Sequence, residues 1–141
     1  MRFRFALEPL KRVAHVREKC EERKLQAVQV TVAEIAGKIE QVVEAQVTAR
    51  RAAASENCCE MAWRQAAQRE IAMLEGQERR LRERMANAQK QLTQQQAAYV
   101  LARQKAEAMN RLRANAYEIF QREVQRREQS AMDDVFLNRY R

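Results

Sequence analysis

Almost nothing in this sequence can build a tight turn: its 141 residues hold two glycines and one proline. Such turns draw on residues that tolerate or fix unusual φ values, so a fold of many short elements is excluded and long helices are expected. Aromatic side chains make up only 6% of the chain, too few to fill the broad core of a globular domain. There is one histidine, His15, and there are three cysteines, Cys20, Cys58 and Cys59. An odd cysteine count without zinc-type spacing, and no second ligand near His15, argue against a metal site. Adjacent Cys58 and Cys59 read as reduced bystanders. No apolar run approaches the ~18 residues of a spanning helix and no apolar signal segment follows Met1, so a cytoplasmic chain without direct membrane insertion is expected. Neither a phosphate-cradling glycine loop, a nucleophile elbow, paired histidines nor a carboxylate constellation appears, so neither an enzyme nor a cofactor is expected.

What is present favours helix. Alanine, glutamine, glutamate, arginine and leucine dominate, and 33% of residues are charged. The net charge of +8 attracts anionic partners at long range, but acidic residues are interleaved with basic ones, as in Glu78 Arg79 Arg80 Leu81 Arg82 Glu83 Arg84. That pattern is the solvated flank of a coiled coil, not a nucleic-acid stripe. Charge is least even at the start, where residues 1–24 carry eight basic and four acidic side chains.

Two heptad seams can be read. Leu25, Val28, Val32, Ile35, Ile39 and Val42 alternate spacings of 3 and 4, and Leu7, Leu10 and Ala14 extend this stripe toward Pro9 in the first turn. A second seam runs through Ala67, Ile71, Leu74, Glu78, Leu81, Met85, Ala88, Leu92, Gln95, Tyr99, Ala102, Ala106 and Met109. Ser55, Glu56 and Asn57 are the best local stop between them. The fold class expected is all-α, a long two-helix antiparallel coiled-coil hairpin, with helix one at about 5–55, a turn at about 55–60 and helix two at about 60–136 in a single domain. Folding back near Asn57 sets Val42 beside Leu74, Ile35 beside Leu81, Val32 beside Met85, Val28 beside Ala88 and Leu25 beside Leu92, with Leu10 beside Ala106 and Leu7 beside Met109. This agreement favours the hairpin over one continuous helix that pairs in parallel with a second copy. Glu18 and Glu21 make the middle layers weaker. Gly37 and Gly76 fall off the seams. Beyond the N-terminus, roughly 25–30 residues of helix two form an overhang at 1.5 Å per residue, bearing Leu112, Ala116, Ile119, Phe120, Val124, Val135, Phe136, Leu137 and Tyr140, a stripe that implies a partner.

Phe5 Ala6 Leu7 Glu8 Pro9 Leu10 Lys11, then Arg17 Glu18 and Glu21 Glu22, resemble the opening of the FliJ-type flagellar export proteins. Arg122 Glu123, Arg126 Arg127 Glu128, Met132 Asp133 Asp134 and Arg139 are similar to that family's ending. The resemblance implies a non-enzymatic stalk of the type III export apparatus in flagellum biogenesis, and so in chemotaxis. Its implied partners are the hexameric export ATPase, whose central hole it occupies, the cytoplasmic domain of the export gate, and export chaperones. The implied location is peripheral, at the inner membrane. By position, the gate-binding patch is Val43, Gln46, Val47 and Arg50 with Glu70, Ile71 and Leu74. The family often shows exposed aromatics there, where this chain has Gln46, Arg50 and Glu70, with Trp63 and Met61 nearby. For the ATPase the candidates are Arg2, Arg4, Lys11, Arg12, Phe120, Arg122, Arg126 and Arg127, a basic base suited to an acidic rim. A virulence-type stalk shares this shape and these partners, and a basic coiled-coil module for RNA is a reading of another class.

Overall fold

A computed structural model describes residues 2–55 and 61–139, the side chain of Asn138 apart. It is all-α: two long helices, α1 (Glu8–Ala53) and α2 (Met61–Arg139), pack as an antiparallel hairpin. α1 begins at Glu8, whose amide donates to the Phe5 carbonyl at 3.2 Å, with Lys11 donating to Leu7 at 2.9 Å. Pro9 therefore lies in the first turn, where its missing N–H costs nothing, and Glu8 carries negative charge at the positive end of the helix dipole. Arg50 and Arg51 occupy the last turn, and the chain leaves the helix through Ala54 N–H to Arg50 O and Ser55 Oγ to Ala52 O, both 3.0 Å. Of the expected turn residues, Ser55 is a bend, while Glu56, Asn57, Cys58 and Cys59 lie outside the described residues.

The chain divides into two compact units, Arg23–Ala97 and Met1–Glu22 with Ala98–Arg141. In the first of these, the expected seam is the core. Ile35 is 5% exposed and Leu74 and Ala88 are buried, while Leu25, Val28, Val32, Ile39, Val42, Leu81, Met85 and Leu92 are half-buried between charged flanks. The stripe continues through Gln46, Ala49 and Ala53, so the α1 seam reaches the end of the helix.

The register departs from expectation. Pairing about Asn57 puts Gln46 beside Glu70 and Ile71, yet Gln46 Nε2 donates to Glu78 Oε2 at 2.7 Å, and Arg50 Nη2 meets Glu75 Oε1 at 3.0 Å. These links lie about two helical turns further along α2, of which side-chain reach spans about one. The physical reason is that seams alternating 3 and 4 match again after a shift of half a heptad, so apolar pattern alone leaves register open. In the expected register Glu78 would sit beside Ile39, a carboxylate in an apolar layer with no donor from the opposite helix. The observed offset brings the seam's polar members together.

In the second unit Ala106 is 2% exposed, and Ala14, Ala102 and Met109 are half-buried, as expected. Leu10 is not in the seam: it is 53% exposed, and Leu7 is exposed too. A strict 4-then-3 step back from Ala14 lands on Lys11, which is half-buried with its Nζ 3.6 Å from Glu8. Leu10 is displaced onto the flank, where it lines a groove with Val13 and Leu101. The overhang is also shorter than expected. The chain before α1 continues alongside α2, where Phe3 packs edge-on against Tyr117 (ring centroids 5.2 Å apart, planes at 79°) and tilted against Phe120 (5.5 Å, 54°). Ala116, Phe120 and Val124 are half-buried, and every described side chain from Gln125 onward is exposed.

Candidate functional site

Among the described residues, no group of three or more His, Cys, Asp and Glu is placed to hold a metal ion. Among the same residues, no helix is long and apolar enough to cross a membrane.

The candidate gate face lies in the unit Arg23–Ala97. Val43 and Val47 are exposed, 36% and 42%, and one turn apart on α1, so they form an apolar strip. Arg50 follows them, exposed and paired with Glu75, and Glu70 is exposed on α2. Gln46 and Leu74 do not belong to this surface: they are 5% and 9% exposed, buried by the same helical repeat that turns Val43 and Val47 outward. Ile71 is half-buried beside them in sequence. Trp63 and Met61, at the start of α2, are 57% and 77% exposed, the reach of an anchoring side chain without cover.

The buried Gln46 was missed as a seam member because its side chain is polar, although its spacing from Val42 continues the 3–4 alternation. Its partner Glu78 accepts from two donors, Gln46 at 2.7 Å and Arg82 Nε at 2.7 Å. Those hydrogen bonds, Gln46's first and then Arg82's, hold the Glu78 carboxyl below the usual glutamate range; burial, next in size, opposes them, and the charges of Arg82 and Arg50 add smaller effects in their favour.

The candidate basic end lies in the other unit. Arg2, Arg4, Arg12, Arg122, Arg126 and Arg127 are exposed there. Arg122 reaches only a long 4.0 Å contact with Glu118. Lys11 is half-buried beside Glu8, and Phe120 packs against Phe3, so these two are less accessible than the arginines. Arg113 crosses from α2 to Glu8 of α1 at 3.4 Å, tying the start of α1 to α2. The aromatic cluster of Phe3, Tyr117 and Phe120 was not foreseen as a unit; the signal available was the concentration of scarce aromatics at the N-terminus and near residue 120. Beyond it, Met132, Val135, Phe136 and Leu137 are each at least 60% exposed, with Ala131, Met132, Val135 and Phe136 lining one shallow apolar groove.

Comparison with known proteins gives one family. The profile described as "Flagellar FliJ protein" matches residues 3–141, nearly the whole chain. No curated protein and no solved structure matches it.

Proposed function

The chain belongs to the flagellar FliJ family, and from that premise we propose that it is a central stalk, which binds the hexameric export ATPase, promotes its assembly and activity, and links it to the export gate and to export chaperones. The family is one of non-catalytic export components, so its members act through contacts. The observation that carries the reading is the unit Met1–Glu22 with Ala98–Arg141, in which exposed Arg2, Arg4, Arg12, Arg122 and Arg126 share one unit with the Phe3, Tyr117 and Phe120 cluster and with an exposed apolar helix end. Clustered arginines favour an acidic rim and speed encounter with it, while exposed Phe136, Val135 and Leu137 supply the apolar area that holds a complex together. The gate contact is assigned to Val43, Val47, Arg50 and Glu70, with Gln46 and Leu74 supporting that face from inside.

The test is ATP turnover by the export ATPase of the same organism, with and without this protein, at low and moderate salt. The stalk reading predicts stimulation that survives moderate salt and disappears when residues 112–141 are deleted. Absence of both stimulation and co-elution with the ATPase overturns it. Tight, steeply salt-dependent binding to RNA with no effect on the ATPase would replace it with the nucleic-acid reading.

A further inference from the structure

In the unit Arg23–Ala97 the seam is apolar apart from Gln46, Glu78 and Gln95, and the first two are joined to each other. Two alignments of the helices compete there. One maximises apolar pairing, with Val42 beside Leu74 and Ile35 beside Leu81, but leaves Glu78 beside Ile39 and Gln46 beside Ile71. The other, found in the structure, joins Gln46 to Glu78 at 2.7 Å and adds Arg50 to Glu75 at 3.0 Å. Both satisfy the 3–4 alternation, so the choice between them rests on the polar pair.

We propose that Gln46 and Glu78 form a register lock, which holds this unit in one of two alignments its seam permits. A polar residue at one core position of a coiled coil costs stability and selects register, and here two polar side chains of the seam answer each other across the helices. Glu78 is also held by Arg82 at 2.7 Å from its own helix, a bond that survives any slip, so the part of its hydrogen bonding that depends on register is the one from Gln46. A slip of half to one heptad moves one helix along the other by about 5–10 Å at 1.5 Å per residue. Any surface of this unit assembled from both helices therefore exists in one alignment and is dismantled in the other. The lock does not depend on which partner takes that surface.

The test reads the offset directly. In the full chain with Cys20, Cys58 and Cys59 replaced by serine, nitroxide labels are placed at Glu44→Cys and Lys90→Cys, both exposed positions, and their separation is measured by pulsed electron spin resonance. The unmodified pair gives one distance. Gln46→Leu with Glu78→Leu, helical by circular dichroism, shifts or splits the distribution toward a separation longer by about 5–10 Å. Gln46→Ala with Glu78→Ala carries the same expectation without added apolar volume. The swap Gln46→Glu with Glu78→Gln preserves a donor and an acceptor and keeps the original distance. A single unchanged distance in both the leucine and the alanine pair overturns the lock, as does a swap variant that shifts as the leucine pair does.

Discussion

At the scale of single residues, energetic weight falls on few positions, because only Ile35, Leu74, Ala88 and Ala106 are buried apolar side chains among those described. Ile35→Ala removes three carbons from a site 5% exposed and is expected to cost about 2–4 kcal/mol in chemical unfolding, since neighbouring helix turns cannot fully close over the gap. Ala106, 2% exposed, fails in the opposite sense: Ala106→Leu overfills its layer and is expected to lose about 1–3 kcal/mol. Glu78 sets a pH dependence. Its carboxyl titrates below the usual range in the folded chain, chiefly because Gln46 and then Arg82 donate to the ionised form, with Arg50 also near. A depressed folded value means the contribution is complete above the unfolded glutamate value and is lost as pH falls through the folded one. Thermal melts from pH 7 down to pH 3 should therefore drop further for the parent chain than for Glu78→Gln, and equal drops would contradict the assignment.

Each helix carries a glycine at an interior position, Gly37 in α1 and Gly76 in α2, and neither has a positive φ. A Cβ built at either meets nothing within 4 Å, so no packing reason keeps alanine out. Gly37→Ala and Gly76→Ala should each stabilise by about 1 kcal/mol, raising the melting temperature by roughly 3–5 °C per substitution. A fall would show that one of these points needs its softness. The first residues of the chain belong to this scale too. Phe3 lies outside α1, and its rings' contacts with Tyr117 and Phe120 bind the N-terminal strand of coil to α2. Phe3→Ala should raise amide exchange across residues 4–8 while leaving that of Arg23–Ala97 unchanged.

For the molecule as a whole, surface and core must be separable if it works by being gripped. Val43→Asp with Val47→Asp places charge on an exposed strip and should leave helicity and melting within a degree or two, as surface changes commonly do, while weakening capture by the cytoplasmic domain of the export gate. Leu74→Asp should melt the pairing, because a buried carboxylate without a donor costs several kcal/mol. Equal loss of gate capture without loss of structure in both variants would mean that Leu74 is reached by the partner, contrary to its burial. Deleting residues 125–139 should leave the stability of the paired region nearly intact, since every described side chain there is exposed, and remove binding to the ATPase.

The sequence by itself determined the two helices, most of the residues that form their seams, and the family. Scarce glycine and proline exclude short elements, and the 3–4 alternation at Leu25 through Val42 and Ala67 through Met109 allows only one stripe on each helix to face a partner. Those are local properties, readable because a helix repeats every 3.6 residues whatever surrounds it. Only the tertiary structure decided the offset between the helices, the exclusion of Leu10 from the core, the packing of Phe3 onto Phe120, and the burial of Gln46 within the surface expected to dock a partner. A repeating seam is degenerate along its own axis, so what breaks the tie is which polar side chains can satisfy one another across the gap, and that depends on contacts between residues far apart in the chain.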